Sequence, residues 1–573
     1  MKHAPLALAC LIASVSHGFD FDRDPLWAPD TNVVFRAGDA GYHTFRIPCL
    51  VASSNGTLIA ICEGRKTDAK DHGDIDLVYK RSTDAGTNWS ALSVLHEEGG
   101  TNPVTIGNPC AVIERDTDRI WLAFARDNKD VFITHSDDVG QTWAKPKDIT
   151  ADVKKPEWTW YATGPGAGIQ ITNGTHRGRI IIPCDHREPA NGKAIKKSHV
   201  FYSDDRGATW KLGGSAPEHT DECQVAELAD GALLLSMRQF LARDGGNATA
   251  AGKRAHAISR DGGATWQDFK LQDALPDPCC QASLIRFGGK DRLKRHLMLF
   301  SNPASPTKRE SMAIRLSYDG GLTWPVTKPL WSGPSAYSSL ATLPANAIGC
   351  LFECGDANPY QRIVFSKCTL HWIETMDSKE LPAAGLSLFD GKTMGQWLKG
   401  DFRGQETDVL IDGGSIVMKK GNDMTGITWG GPVVRMNYEI CLEARRLEGS
   451  DFFCGLTFPV GENPCTLVLG GWGGSLVGLS CLDYEDAANN ETGMTMRFEE
   501  KRWYQVRLRV TRNEIGAWID GEQVIDVETT NRRIGIRFEV ESSRPLGVAT
   551  WCTTGAVRDI RIFPVTPLDD GAF

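Results

Sequence analysis

Three arginines stand where arginines are rarely placed: Arg46 in TFRIP, Arg238 in LLLSMRQF and Arg309 in FSNPASPTKRES. An unpaired guanidinium buried at an apolar strand end is costly, so each needs an anion. One such arginine reads most simply as half of a structural ion pair. Three on separate segments can instead converge on one planar anion. A carboxylate suits, because each guanidinium offers paired donors in a plane. Downstream of Arg46 an acid-rich loop supplies Asp68, Asp71, Asp74 and Asp76 as candidates for proton transfer. Trp158 and Trp160, in EWTWYATGPG, could form a platform for a sugar ring or plug the fold, and the residues themselves do not choose. The TGPGAG run lacks the Lys-Ser/Thr of a phosphate loop, which rejects nucleotide binding. No Cys/His set has zinc spacing, so neither a metal nor another cofactor is expected.

The elements that would position these groups are set by a repeat. STDAGTNW, SDDVGQTW, SDDRGATW, SRDGGATW and SYDGGLTW begin at Ser82, Ser136, Ser203, Ser259 and Ser317, at intervals of 54, 67, 56 and 58 residues. Each follows a short apolar run (DLVYK, VFIT, HVFY, AHAI, MAIRL), so each unit is strand, tight turn, strand. Serine and aspartate can hold turn amides, glycine supplies a positive φ, and tryptophan folds back as an apolar plug. Intervals of this length predict four strands per unit and an all-β, six-bladed propeller over residues 30–374, with five blades carrying the turn. Ring closure would pair a strand near Val33 and Phe35 with a late one after Arg362. Residues 375–384 read as a linker. Residues 385–565 read as a β-sandwich (jelly-roll) domain: Val506, Leu508 and Val510 share one strand face, and Asp520-Gly521 between apolar runs signals a hairpin.

The 573 residues are too many for one ordinary domain, and 41% apolar residues are enough for real cores. A net charge of −9 argues against a general binder of nucleic acid or anionic membranes. Residues 1–18 have a lysine, an apolar run and then small residues, as a secretory signal does, so a secreted or periplasmic protein without a membrane span is expected. Many of the 16 cysteines lie in apolar strand-like runs and read as small buried hydrophobes. Cys350 and Cys354, on one strand, would be about 13 Å apart and unbridged. Five Asn-x-Ser/Thr sites matter only in a glycosylating host.

FRIP, EGR, the five turns, ECQVAELADGALLLSMR and the late AYSSL together resemble a sialidase (neuraminidase) catalytic domain. The resemblance implies roles residue by residue. Arg46, Arg238 and Arg309 match the triad that binds the sialic acid carboxylate. Asp71 matches the general acid/base; it lies eleven residues before Ser82, the family spacing, with Asp74 the runner-up. Tyr337 matches the nucleophile and Glu222 the glutamate that activates it. Glu353 matches the acid that orients the first arginine, and Arg65 a further arginine at the pocket rim. Glu227 reads as an edge carboxylate. The implied activity is exo-α-sialidase: retaining hydrolysis of sialylated glycans through a tyrosyl intermediate, an exception to the two-carboxylate glycosidase pattern. Alternatives are a trans-sialidase, a hydrolase of deaminated sialic acid, or a non-catalytic glycan-binding propeller. LFDGKTMGQW and RWYQVRLRVTRNEIGAWIDG resemble a concanavalin-like, 3-keto-disaccharide hydrolase-like domain, for which glycan binding or mere packing is expected.

Overall fold

The five repeated turns close by one shared pair of hydrogen bonds. In the first, Gly86 N–H donates to Ser82 Oγ at 2.9 Å and Asn88 N–H to Asp84 Oδ1 at 2.8 Å. The same pair recurs at Gly140 and Thr142, Gly207 and Thr209, Gly263 and Thr265, and Gly321 and Thr323. Donation from the Asn88 backbone holds the Asp84 carboxyl down at about 2, and the Thr209 hydroxyl leads the same effect on Asp205. Gly86 and Gly207 take φ of 90° and 83°. A Cβ there would come within 2.0 Å of Phe365 and 2.2 Å of Trp121. Each ring lies on the preceding unit of the ring of sheets, so these turns fasten one unit to the next.

This computed structural model describes residues 30–190, 193–289, 291, 293–402 and 408–565. The expected leader, residues 1–18, lies outside them. Strands Thr44–Ala52, Leu58–Arg65, Ile75–Ser82 and Ser93–His96 form the first unit. Ile106–Ile113, Ile120–Arg126, Asp130–Ser136 and Lys147–Asp148 form the second. The third is Trp160–Thr163, Ile180–Ala190, Lys193–Ser203 and Lys211–Glu218, and the fourth Thr220–Glu227, Leu233–Gln239, Lys253–Ser259 and Gln267–Pro276. A seven-stranded sheet follows. It is continuous because the 17-residue strand Val326–Thr342 pairs first with Glu310–Ser317 and then with Ala347–Cys354. Divided at that strand, it makes two further groups of four. Asp30–Arg36 runs antiparallel to Arg362–Thr369 with Val33 opposite Val364, the closure read from the sequence. Thr44–Ala52 touches both Ile106–Ile113 and Val326–Thr342, so the inner strands meet around the ring in a propeller-like arrangement.

Apolar clusters fill the spaces between adjacent units. Ile59, Ile61 and Leu77 of the first pack on Leu122 and Phe124 of the second; Phe45 and Leu58 of the first pack on Leu351 and Phe365 of the last. Trp158 belongs to such a cluster: it is buried and stacks on His186 with ring centroids 3.5 Å apart, a plug rather than a platform. None of the fifteen described cysteines is bridged, and Cys49, Cys62 and Cys110 are buried. The longest helical segment among the described residues is Phe538–Ser543, and no described helix is long and apolar enough to cross a membrane.

Beyond the ring, two sheets stack into the sandwich. One includes Ser415–Met418, Thr553–Pro564, Tyr438–Gly449, Tyr504–Val510, Glu514–Ile519 and Glu522–Glu528. The other includes Met424–Trp429, Gly547–Trp551, Cys454–Val460, Asn463–Gly470 and Leu476–Ser480. Val506, Leu508 and Val510 face the shared core. The hairpin turns at Asp520 and Gly521, both at positive φ. Arg295 ties the two regions, pairing with Asp291 and Glu374 of the ring and donating to Gly430 O at 2.6 Å.

Candidate active site

Four inner strands lose register with a neighbour. Pairing slips between Arg46 and Cys49, Gly107 and Cys110, Thr220 and Cys223, and Ser335 and Ser338. A bulge re-aims side chains that regular pleating would send to alternate faces. Three of these bulges carry Arg46, Glu222 and Tyr337. At the first, Ile47 takes φ 63°, which a β-branched residue adopts only under constraint. Its N–H donates to Glu353 Oε1 at 2.8 Å.

Glu353, fully buried, joins two segments of the site. Its Oε1 also accepts from Arg46 Nε at 2.8 Å, and its Oε2 from the Tyr337 N–H at 3.2 Å. Arg46 is only 4% exposed; burial alone would lower its pKa, but the charge of Glu353 raises it further, so the guanidinium stays charged. Its Cζ lies 5.2 Å from the Tyr337 ring centroid and 4.0 Å from that of Tyr360. Arg309 donates to Tyr360 Oη at 2.9 Å and lies 5.4 Å from the Tyr337 ring. Arg238 donates to Glu222 Oε2 at 2.7 Å and to Tyr337 Oη at 3.4 Å. The Tyr337 hydroxyl donates to Glu222 Oε1 at 2.5 Å. Three guanidinium groups thus surround one tyrosine whose proton already points at a carboxylate. Burial first, then the charge of Glu222, pushes the Tyr337 pKa well above that of free tyrosine; Arg238 and Arg309 pull the other way.

Arg65 donates to Glu63 Oε2 from Nη2 and Nε, at 2.6 and 3.0 Å, and its Nη1 pairs with Asp71 Oδ1 at 2.8 Å. Asp71 Oδ1 also lies 3.8 Å from Arg46 Nη1. The Asp71 side chain is 76% exposed, at the open side of the arginines. Burial raises its pKa, but Arg65 and Arg46 together hold the carboxyl below the usual carboxylate range. Asp68 pairs with Lys70 at 2.7 Å, Asp74 with Lys66 at 3.0 Å, and Asp76 accepts from Tyr42 Oη at 2.6 Å. Of the four loop aspartates, Asp71 is the one that contacts Arg46 and Arg65.

Tyr360, Glu63, Asp185 and Asp221 escaped sequence reasoning. Tyr360 comes from a loop with no periodic signal. Glu63 shares a strand face with Arg65 two residues on, a signal that period-two reading could have found. Asp221 accepts from the Glu222 N–H at 2.8 Å, and Asp185 accepts from Trp160 Nε1 at 3.2 Å. Burial, then the charges of Asp221 and Glu222, pushes the Asp185 pKa well up. Glu227 is not at an edge: it is buried and accepts from the Thr172 and Asn173 N–H groups at 3.0 and 2.7 Å. Among the described residues, no three His, Cys, Asp or Glu side chains are grouped to hold a metal ion.

Residues 56–350 match the model of the BNR repeat-like domain, and residues 386–563 that of the 3-keto-alpha-glucoside-1,2-lyase-like domain. A sialidase of Bacteroides fragilis is 32% identical over 358 residues, covering 57% of this chain and 62% of that protein. A sialidase of Micromonospora viridifaciens is 33% identical over 348 residues, covering 56% of this chain and 52% of that protein. The chain therefore spans between half and two thirds of the length of these relatives. The solved Hadza microbial sialidase Hz136 superposes with a TM-score of 0.54 at 29% identity, covering 60% of this chain and 69% of that one.

Proposed function

The chain belongs to the BNR repeat-like domain family and is a homologue of sialidases; on that premise we propose that it is an exo-α-sialidase, releasing terminal α-linked sialic acid from glycoconjugates with retention. The observation that carries this reading is the Tyr337–Glu222 pair, at 2.5 Å, set among Arg46, Arg238 and Arg309.

In this reading the sugar carboxylate binds the three arginines, which fixes the anomeric carbon over Tyr337. A carboxylate nucleophile would be repelled by the substrate's own carboxylate; a phenol is neutral until it attacks. As the Tyr337 oxygen bonds to the anomeric carbon, its proton passes to Glu222, and Arg238 and Arg309 stabilise the charge that develops. Asp71 donates a proton to the departing glycosidic oxygen. With the clamp empty, Arg65 and Arg46 keep Asp71 ionised. A substrate carboxylate on Arg46 offsets part of that field and lets Asp71 carry the proton it must give. In the second step Asp71 takes a proton from water as the oxygen of that water bonds to the anomeric carbon. The Tyr337–carbon bond breaks, and Glu222 returns the tyrosine's proton.

Release of a fluorogenic α-sialoside by wild type, and its loss in Tyr337→Phe, tests the reading. Proton NMR of the first-formed sugar should show the α anomer. A folded wild type inert toward every α-sialoside offered would reject the enzyme. Full activity in Tyr337→Phe would reject the nucleophile.

A further inference from the structure

The sandwich carries a pocket on the outer face of one sheet. Leu456, Leu467 and Val548 of that sheet point into the core. Thr466, Val468 and Ser480, strand neighbours of the core residues Leu467 and Leu479, point the other way, and over them opens a cavity of about 210 Å³. Phe452 and Trp551 wall it, and Asp451, Arg537 and Glu539 give it a polar edge. Trp472 stands beside them, 47% exposed although it is one of the largest apolar side chains. Its φ of 47° falls between Gly471 and Gly473.

The polar groups are positioned in advance. Asp451 accepts from the Phe452 N–H at 2.8 Å through Oδ1 and from the Gly473 N–H at 3.3 Å through Oδ2, tying together the two turns that bear the aromatic rings. Arg537 donates to Glu539 Oε2 and Oε1 at 3.3 and 2.9 Å and to Asp486 Oδ2 at 3.1 Å. Its guanidinium lies 6.0 Å from the Trp472 ring centroid. Aromatic faces beside fixed acceptors and one planar donor suit a pyranose, whose C–H face is apolar and whose rim is hydroxyl. A cavity of about 210 Å³ has room for one pyranose ring. Among the described residues at this face, Arg537 stands beside Asp451, Asp486 and Glu539, a setting that suits a neutral sugar better than an anionic one.

We propose that this face of the sandwich binds a neutral hexopyranose residue of a glycan, non-covalently and independently of the ring site. Trp472 stacks on the sugar, Asp451 and Glu539 accept from its hydroxyls, and Arg537 donates to them. The sandwich then holds the chain to glycans through a sugar that carries no carboxylate.

Isothermal titration of the full chain with methyl β-galactoside, methyl α-glucoside and methyl α-mannoside tests this. At least one should bind at one site per chain, and Trp472→Ala and Glu539→Gln should each weaken it by about tenfold or more. Both variants should melt and release a fluorogenic sialoside as wild type does. Absence of binding by all three glycosides at tens of millimolar overturns the proposal. So does binding that survives in both variants. A parallel fall in sialoside release would overturn the independence of the two sites.

Discussion

Replacing Glu222 by Gln changes one atom and removes the only acceptor into which the Tyr337 proton points. Glu222 receives two donors, Tyr337 Oη at 2.5 Å and Arg238 Nη1 at 2.7 Å, one on each oxygen. A glutamine has one acceptor and one donor end. With its oxygen toward Arg238, which only donates, its amide faces the phenol and cannot take the proton. With the amide turned toward Arg238, two donors meet in a site where the side chains are 16% and 10% exposed. In neither orientation does the attacking oxygen lose its proton to a base. General-base removal lowers rates by about 10² to 10⁴-fold, or about 2.7 to 5.4 kcal/mol at 1.36 kcal/mol per decade. The loss should fall on kcat, because Arg238, freed of its partner, remains a carboxylate binder; KM should stay level or fall. The assay is steady-state release of a fluorogenic α-sialoside, with the melting temperature followed in parallel. A loss in kcat below about tenfold, in a folded variant, would refute proton transfer through Glu222, as would a loss confined to KM.

Other outcomes follow from the same geometry. Asp71→Asn should slow release of a poor leaving group by about 10² to 10³-fold, while Asp74→Asn, held by Lys66 at 3.0 Å, should change it by less than about tenfold; equal losses would mean that the wrong aspartate has been assigned. Asp84, Asp138 and Asp205 have native values of about 2 against about 3.9 in an unfolded chain, so the unfolded state takes up protons that the native turns refuse. Their contribution is complete above about pH 4 and is lost as pH falls through about 2; replacing all three by Asn should flatten the fall in melting temperature across that window. Gly207→Ala combines φ 83° with a Cβ 2.2 Å from Trp121 and should destabilise by about 2 to 5 kcal/mol in urea unfolding. Gly100→Ala, at φ 65° with nothing within 4 Å, should cost only about 1 kcal/mol in the same measurement.

The turns were legible because their chemistry is local. Eight consecutive residues make each turn's bonds among themselves, so their spacing alone carries the structure. The arginines were visible as misplaced charges, but their common target was implied by resemblance, not by spacing. Arg46 and Glu353 meet at 2.8 Å across 307 residues of sequence. Nothing in either local sequence fixes that contact. The bulges were illegible for the same reason: whether Ile47 pleats or bends depends on which residue of Leu58–Arg65 lies opposite, and that is a property of two strands together. Tyr360 was hidden because an aromatic residue in a loop looks the same whether it lies idle or braces an arginine. Trp158 was ambiguous because a plug and a platform use one residue type, and burial alone distinguishes them.

The strand Val326–Thr342 has a consequence for how the ring moves. It belongs to two sheets, passing from one to the other at the bulge that bears Tyr337. Elsewhere the backbone contacts between neighbouring sheets are short, as where Gly166–Ala167 runs beside Cys110–Ala111, and such seams are natural lines of slip. At this seam the backbone ladder runs through. The group that carries Arg309 and the group that carries Glu353 therefore share one continuous set of amide hydrogen bonds. They should exchange amide hydrogen as a single cooperative unit, slower than any other adjacent pair. Breathing of the ring should then fall mainly on the remaining seams, away from the tyrosine.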